Sequence, residues 1–306
     1  VPIIDAAVLF NKSNELHVQE QGKLRHALAV TGFLVLRNSD ISAAVVDDVI
    51  SAYREFFSQG TALKSEVDMS RSFSNRGWGH PGAERVSADS NADYKEFFDR
   101  GIDLPKDDPR TSIRYYAPNL WPQLDNFKDT LDSYFSLAHD VSRQLLSAVA
   151  ACLGQSPEFF EPAFADAPMS LMRGIHYPPR PSWATEIDFG IAPHTDYGCV
   201  TLVVSDGTPG LEVLTGSEEW TAVTPAPGDI VVNFGEMLEM WSGGHVKATL
   251  HKVRGSESER FSSAFFFNPS YNTDITPFLK QIGIQSVRAG EYLSKRYDDT
   301  YVHLAR

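Results

Sequence analysis

Short apolar runs separated by Gly and Pro fill the second half of this chain and constrain its fold more than any other feature. Runs of this length, with turn residues between them, are typical of the strands of a β-sandwich or barrel. We therefore predict a β core in this half of the chain. The runs lie at 169–177, 198–204, 210–214, 219–223, 228–234, 246–253 and 260–267.

The first half of the chain predicts mainly helices. The clearest helix spans 123–153, where apolar residues recur every three or four positions and form one stripe that faces a core. An earlier helix over 14–31 ends at Gly32 and precedes a short strand. Residues 60–120 are rich in Gly, Ser, Asp and Pro, which predicts a long loop, and 286–304 is predicted to close the chain with a helix.

This order of elements predicts an α+β fold in a single domain, with a double-stranded β-helix (jelly roll) core flanked by helices. The N-terminal helical and loop region would cover 1–120, and the long core-flanking helix with its linker 121–168. The jelly-roll core that carries the catalytic site would cover 169–272, followed by a C-terminal helical segment over 273–306.

Charge and cysteine content exclude several classes of function. The chain has 27 Lys and Arg residues against 40 Asp and Glu, a formal net charge of −13 at pH 7. Nucleic acids and anionic membranes attract basic faces, so we expect neither as a partner. The two cysteines cannot build a disulfide framework. We expect a cytoplasmic monomer or weak homodimer that acts on a small molecule.

The segment Pro193-His194-Thr195-Asp196-Tyr197-Gly198 carries the strongest chemical signal. In a strand, residues two apart point the same way, so His194 and Asp196 could direct an imidazole and a carboxylate to one point. His251, in a later predicted strand, could supply a third ligand. Two histidines and one carboxylate leave half of an octahedral metal open, which suits non-haem Fe(II) that binds a co-substrate and oxygen.

Arg260 and Ser262 strengthen this interpretation, because they share one face of a predicted strand that follows His251 by nine residues. A guanidinium group beside a hydroxyl suits the carboxylate of a small acid. An arginine that points into a barrel is unfavourable unless it is paired with such an anion. The pair therefore predicts a site for a small carboxylic acid.

The segments PHTDYG, LHKV and ERFSS together resemble the iron- and 2-oxoglutarate-dependent dioxygenase family, in its isopenicillin N synthase-like branch. The resemblance extends over most of the chain and includes SNRGWGHPG at 74–82, DYKEFFDRG at 93–101 and PGDIVVNFGEMLEMWSGG at 227–244. It implies that His194, Asp196 and His251 bind Fe(II). It also implies that Arg260 and Ser262 bind the distal carboxylate of 2-oxoglutarate, with O₂ as the second co-substrate.

The segment Arg173-Gly174-Ile175-His176-Tyr177-Pro178 resembles the family's Asn-Tyr-Tyr-Pro strand, whose last tyrosine contacts the same carboxylate. The resemblance therefore assigns Tyr177 to 2-oxoglutarate. Ile175 stands where the family commonly has Asn, so any polar contact from that position is lost. The implied activity couples decarboxylation of 2-oxoglutarate to hydroxylation, desaturation or cyclisation of a second substrate.

Two alternatives stay open at this point. In isopenicillin N synthase the similar Arg-x-Ser pair holds the substrate's own carboxylate, so the chain could be an iron oxidase that consumes no 2-oxoglutarate. Tyr177 beside Arg260 favours 2-oxoglutarate. The chain could also be a non-catalytic jelly-roll binding protein, although the complete set of metal ligands speaks against it.

The primary substrate is predicted from a second inward cation. Strand alternation places Arg173 on the same face as Tyr177, while Arg260 already serves 2-oxoglutarate. A further buried cation needs its own anion, so we predict a small carboxylate-bearing substrate, such as an amino acid or a natural-product precursor. Alternatively, Arg173 pairs with an acidic residue, or the substrate is a nucleobase, since the branch also resembles a fungal thymine hydroxylase. Further candidate contacts are Tyr197, Arg76 and His80.

Overall fold

The computed structural model describes residues 1–74, 76–83, 93–182, 184–185, 189–216, 219–278 and 286–300. No helix in these ranges is long and apolar enough to cross a membrane. The strands are β1 Ile3–Asp5, β2 Phe33–Arg37, β3 Gly77–Gly79, β4 Glu96–Gly101, β5 Leu171–Tyr177, β6 Ile191–His194, β7 Val200–Ser205, β8 Leu211–Leu214, β9 Trp220–Ala222, β10 Ile230–Phe234, β11 His251–Val253 and β12 Arg260–Phe267.

The α-helices differ greatly in length, and a π-helical turn at Ala27–Thr31 extends the second of them. They are α1 Ala6–Leu9, α2 His17–His26, α3 Ala43–Phe57, α4 Thr61–Glu66, α5 Phe127–Cys152, α6 Glu161–Phe164, α7 Glu236–Trp241 and α8 Ala289–Thr300. The predicted helix over 123–153 is confirmed as α5, and Ser42 caps α3 by accepting a hydrogen bond from the Val45 amide.

Two sheets form the β core. The larger has the strand order β1-β2-β10-β7-β12-β5-β4-β3, and the smaller has the order β6-β11-β8-β9. Strand alternation gives the larger sheet two apolar faces. In β2, Leu34 and Leu36 join the cluster that contains α3 and α5, whereas Phe33 and Val35 join a second cluster with strands of the smaller sheet. Helices therefore cover one face of the larger sheet and the smaller sheet covers the other, which confirms the predicted α+β jelly roll.

One glycine lets the helical layer approach the sheet closely. Gly174 lies in the middle of β5, and a Cβ atom there would lie 2.1 Å from the ring of Tyr53 in α3. The Tyr53 ring is fully buried against the strand. Gly174 thus allows α3 to pack closely against β5. Its neighbours Arg173 and Ile175 point to the opposite face of the sheet, where they line the cavity.

The prediction of a loop over 60–120 is wrong in part, because this segment contains α4, β3 and β4. β4 pairs with β5 along its whole length and is buried throughout. The charged residues of β4 break the apolar pattern expected of a buried strand, so the sequence did not predict it. Their burial is possible because each of them has an ion-pair partner. Glu96 pairs with Lys64, Asp99 with Arg173, and Arg100 with Asp132.

Candidate active site

A cavity of about 140 Å³ lies between the two sheets and contains most of the residues that the sequence singles out. Its walls are mainly apolar side chains, among them Phe33, Leu171, Ile175, Ile191, Val203 and Leu211. The polar residues that line it include His194, Asp196, His251, Tyr177, Arg260, Ser262, Arg173, Lys95, Thr201 and Asn233. An enclosed apolar cavity with a few convergent polar groups is typical of a small-molecule site.

The three predicted metal ligands meet in this cavity. His194, the last residue of β6, lies directly opposite His251 of β11 in the smaller sheet. Asp196 Oδ1 is 3.7 Å from Nε2 of each histidine, and the three ligand atoms lie within 4.8 Å of one another. The local reason differs from the prediction in one respect: β6 ends at His194, so Asp196 reaches the same point from the loop after the strand rather than by strand alternation.

Backbone carbonyl groups orient both imidazoles. Nδ1 of His194 donates to the carbonyl of Ala192 at 2.8 Å, and Nδ1 of His251 donates to the carbonyl of Thr249 at 3.1 Å. Because a carbonyl oxygen can only accept, each Nδ1 carries the proton and each Nε2 offers its lone pair to the cavity. This is the tautomer that a metal ion requires.

Asp196 is held from the opposite side. Its Oδ2 accepts hydrogen bonds from Asn233 Nδ2, at 2.7 Å, and from the Thr201 hydroxyl, while Oδ1 faces the histidines. One carboxylate oxygen is thus committed to the protein and the other is available as a ligand. Such supporting hydrogen bonds are typical of carboxylates that bind metal ions. The donor set and its supports fit Fe(II).

The protonation states also suit a metal ion. Burial, followed by the proximity of His251, lowers the pKa of His194 to about 4, so its imidazole is neutral at pH 7. Burial opposes ionisation of Asp196, but His251, His194 and the hydrogen bonds from Thr201 and Asn233 together lower the pKa of that carboxyl. A neutral imidazole beside an ionised carboxylate needs no proton release before a cation binds.

Arg260 and Tyr177 form a second polar group at one end of the cavity, where they are paired across β12 and β5. Arg260 is 5% exposed, and its guanidinium carbon lies 5.0 Å from the centre of the Tyr177 ring. It donates from Nε to the Thr208 carbonyl and from Nη1 to the Ser262 hydroxyl, both at 3.1 Å. No carboxylate in the described ranges forms an ion pair with Arg260, so this cation can receive the carboxylate of a ligand.

Arg173 also lines the cavity, as strand alternation predicts, but it has an anion within the protein. Its Nε lies 2.7 Å from Asp99 Oδ1 and its Nη2 lies 2.6 Å from Asp99 Oδ2. Asp99 is completely buried in the adjacent strand β4. The argument that Arg173 requires a substrate carboxylate therefore fails, and the alternative of an acidic partner in the protein is the one observed.

The other predicted substrate contacts are placed unequally. Tyr197 lines the cavity and packs against the Arg296 guanidinium at 4.4 Å, whereas His80 is exposed and is not among the cavity residues. Arg76 is buried in a small chamber next to the cavity. Within the described ranges, His80 contacts the Pro81 carbonyl and the Trp78 ring, and the structure does not bring it to the site.

Sequence analysis missed three polar residues of the site. Asn233 and Thr201 lie on neighbouring strands and support Asp196, while Lys95 reaches the cavity and forms a buried ion pair with Asp93 at 2.5 Å. The sequence did contain a signal for Lys95. Asp93 lies two residues before it in the DYKE segment, and buried charges are found in pairs. Nothing in the sequence places Asn233 beside Asp196, since that contact depends on the register of β10 and β7.

Comparison with known proteins yields one consistent family. Residues 168–269 match the 2OG-Fe(II) oxygenase superfamily, and residues 1–124 match the N-terminal region of a non-haem dioxygenase in morphine synthesis. A 2-oxoglutarate-dependent dioxygenase of Didymella fabae is 32% identical over 258 residues, which cover 80% of this chain and 78% of the relative. Homoarginine-6-hydroxylase 2-ODD-C23 of Glycine max is 30% identical, with 90% and 88% covered.

A solved structure shows the same relationship at the level of the fold. A full-length protein of Neurospora crassa, crystallised in complex with alpha-KG and thymine, superposes with a TM-score of 0.83. It is 25% identical, and the superposition covers 98% of this chain and 96% of that one.

Proposed function

The chain belongs to the Fe(II)- and 2-oxoglutarate-dependent oxygenases, and from this premise we propose that it oxidises a C–H bond of a small carboxylate-bearing metabolite. We further propose that His194, Asp196 and His251 hold the iron, and that Arg260, Ser262 and Tyr177 hold 2-oxoglutarate. One observation carries the proposal: a metal-binding triad and a buried arginine without a carboxylate partner among the described residues share one enclosed cavity.

Bound iron would activate O₂, which is the oxidant, and 2-oxoglutarate would supply two electrons and one oxygen-atom acceptor, leaving as succinate and CO₂. The chain's own residues bind, orient and exclude water. Arg260 neutralises the distal carboxylate of 2-oxoglutarate, Ser262 adds a hydroxyl donor, and the Tyr177 ring forms the wall beside them. The apolar side chains around the cavity exclude water from the reacting centre.

Hydroxylation, desaturation and cyclisation are all compatible with this site, because they differ only in the fate of the substrate after hydrogen removal. A small acid such as an amino acid is favoured by the relatives named as homoarginine hydroxylases. A nucleobase is the second candidate, since the Neurospora crassa protein, with the same fold, was crystallised with thymine. Tyr197 and Arg173 line the cavity and remain proposed substrate contacts, the latter together with Asp99.

The proposal is tested by incubating the protein with Fe(II), ascorbate and 2-oxoglutarate in air and measuring succinate, alone and with a panel of amino acids, other small acids and nucleobases. We expect succinate formation that requires both iron and oxygen and that increases with the substrate. Oxygen consumption without succinate would instead identify an oxidase of the isopenicillin N synthase type. Failure to bind Fe(II) would identify a non-catalytic binding protein.

The proposed setting is a cytosolic enzyme, monomeric or weakly dimeric, that acts without a nucleic-acid or membrane partner. The net charge of −13 supports the absence of polyanionic partners, and both cysteines are free thiols, as expected in a reducing compartment. Size-exclusion chromatography with light scattering would establish the oligomeric state.

A further inference from the structure

A side chamber extends the cavity beyond the residues assigned so far. It is lined by Arg76 and Ser170, and it shares Leu171, Asn268, Leu293 and Tyr297 with the main cavity. Its volume is about 20 Å³, which is space for one small polar group rather than for a whole ligand.

The chamber contains a buried arginine, Arg76. The side chain is only 4% exposed, and no carboxylate in the described part of the chain forms an ion pair with it. Its Nη2 donates to the Tyr115 carbonyl, while Nε has no hydrogen-bond partner among the described residues. The hydroxyl group of Ser170, which is 1% exposed, likewise has no partner in the described ranges. A buried guanidinium group and a buried hydroxyl, both with unused hydrogen-bonding capacity, are costly unless a ligand or water completes them.

The protein makes room for this cation. Gly101 is the last residue of β4, and a Cβ atom there would lie 1.9 to 2.0 Å from the Arg76 guanidinium atoms. Burial lowers the pKa of Arg76 to about 10, so the group is still positively charged at neutral pH. The position is therefore a built site for a positive charge.

Strand register places this charge at the opposite end of the cavity from Arg260. On the inward faces of β5 and β12, Tyr177 lies opposite Arg260, and Leu171 lies opposite Phe266. These two pairs are six residues apart along each strand, about 20 Å at roughly 3.3 Å per residue. Leu171 is a wall of the Arg76 chamber. Among the described residues, an arginine without an ion-pair partner therefore lies toward each end of the cavity.

The metal-binding triad lies toward the Arg76 end. Thr201, which donates to Asp196, is opposite Phe266 in the larger sheet. A 2-oxoglutarate molecule between Arg260 and the triad would leave the space toward Leu171 to the second substrate. A second substrate with one group in the Arg76 chamber would then lie beside the proposed metal position.

We propose that Arg76, with the Ser170 hydroxyl, binds the carboxylate of the primary substrate in this chamber. The proposal rests on the proposed oxygenase function and specifies its substrate class: a small acid whose carboxylate is separated from the oxidised carbon by an apolar segment that packs against Leu171 and Leu293. In this proposal Arg76, rather than Arg173, selects an acidic substrate, because Arg173 is paired with Asp99.

The test measures binding without turnover. Protein loaded with Zn(II) and 2-oxoglutarate is titrated calorimetrically with hexanoate, phenylacetate, cinnamate and N-acetylleucine, each compared with its primary amide. We expect the wild-type protein to prefer at least one acid over its amide, and Arg76→Met to lose that preference by about tenfold or more. Gly101→Ala, which displaces the guanidinium group, should have the same effect, while the control Arg25→Met, at an exposed position, should have none.

Thermal melting separates a ligand site from a structural brace. Because Arg76 is buried and forms no ion pair with a carboxylate of the described residues, Arg76→Met should melt at the same temperature as the wild type or higher. Three results would overturn the proposal: no acid preferred over its amide by the wild type, an acid preference unchanged in Arg76→Met, or a large loss of stability in that variant.

The oxygenase function is judged separately. Substrate-independent succinate formation from 2-oxoglutarate is measured in the wild type, since the triad and Arg260 would support it without a second substrate. If the wild type forms succinate but shows no acid preference, only the Arg76 proposal fails. If the wild type forms no succinate, the proposed function fails, whether or not the protein prefers acids over their amides.

Discussion

Asn233 Nδ2 lies 2.7 Å from Asp196 Oδ2, on a strand 37 residues further along the chain. This hydrogen bond holds one carboxylate oxygen and leaves Oδ1 facing the two histidines. Asn233 is 2% exposed and lines the cavity together with Asp196. The amide thus fixes the orientation of the carboxylate at the proposed iron site without facing the metal position itself.

Replacing Asn233 by Leu should weaken metal binding about 10- to 100-fold, because a carboxylate ligand that loses its supporting hydrogen bond is less well oriented. Anaerobic titration with Fe(II) or Mn(II) in competition with a chelator measures the change. Asn11→Leu, at an exposed position, is the control for the substitution itself. An affinity for Mn(II) within about twofold of the wild type would show that the hydrogen bond does not position the ligand.

Replacing His251 by Ala should abolish succinate formation, since it removes one of the three proposed protein ligands. His194→Ala and Asp196→Ala should do the same. Folding should survive, because the hydrophobic clusters on both faces of the larger sheet do not involve these side chains. Circular dichroism checks the fold in each variant, and wild-type iron affinity in folded His251→Ala would mean that the third ligand is assigned wrongly.

Replacing Arg260 by Met should raise the KM for 2-oxoglutarate at least tenfold, because a charge-assisted hydrogen bond contributes roughly 1.5–3 kcal/mol. Tyr177→Phe should raise it by less, since the ring and its contact with the guanidinium group remain. Arg254→Met, on a half-exposed arginine beside Glu212, is a matched control. A KM that stays constant in Arg260→Met would favour the oxidase alternative.

Replacing Arg173 by Met should destabilise the protein by about 3–5 kcal/mol, because it leaves Asp99 buried without its partner. The double variant Arg173→Met/Asp99→Asn should recover much of this loss, since it removes the uncompensated charge. Urea unfolding of the four proteins in this cycle measures the coupling. A single variant as stable as the wild type would show that the pair does not brace β4 against β5.

Stability should also depend on Glu96. This carboxylate accepts hydrogen bonds from Lys64 at 2.8 Å, Trp78 at 2.7 Å and His176 at 2.9 Å. Burial opposes its ionisation, but the bonds from His176, Lys64 and Trp78 together lower the pKa of Glu96. A carboxyl group whose pKa is lowered by folding stabilises the protein above its ordinary pKa and loses this contribution as the pH falls.

The wild type should therefore be more stable than Glu96→Gln at pH 7, by about 3 kcal/mol. The difference should shrink as the pH falls below 4.5, the ordinary value for a glutamate. Urea unfolding at intervals from pH 7 to pH 3 measures it, with the exposed Glu15→Gln as the control. A difference that is constant over this range would contradict the assigned pKa direction.

Short-range patterns determined the chemistry of the site. The spacing of His194 and Asp196, the Arg-x-Ser pair and the inward alternation of Arg173 and Tyr177 are local properties, so the sequence alone predicts them, together with the helical and β-rich halves of the fold. The long helix and the inward alternation of Arg173 and Tyr177 are predicted correctly because helix amphipathicity and strand periodicity depend on neighbours within a few residues. Asp196, in contrast, reaches the cavity from the loop after β6. The enzyme class follows from the same motifs.

Only the tertiary structure decided which charges neutralise each other. Asp99 lies 74 residues before Arg173 and meets it because β4 pairs with β5, a pairing that the polar sequence of β4 concealed. Arg76 forms no ion pair with any carboxylate in the described part of the chain for the same kind of reason, since its surroundings come from distant segments. Ion pairing depends on the distance between two groups and on their burial, and neither can be read from a short stretch of sequence. Which arginine is proposed to bind a substrate therefore follows only from the folded protein.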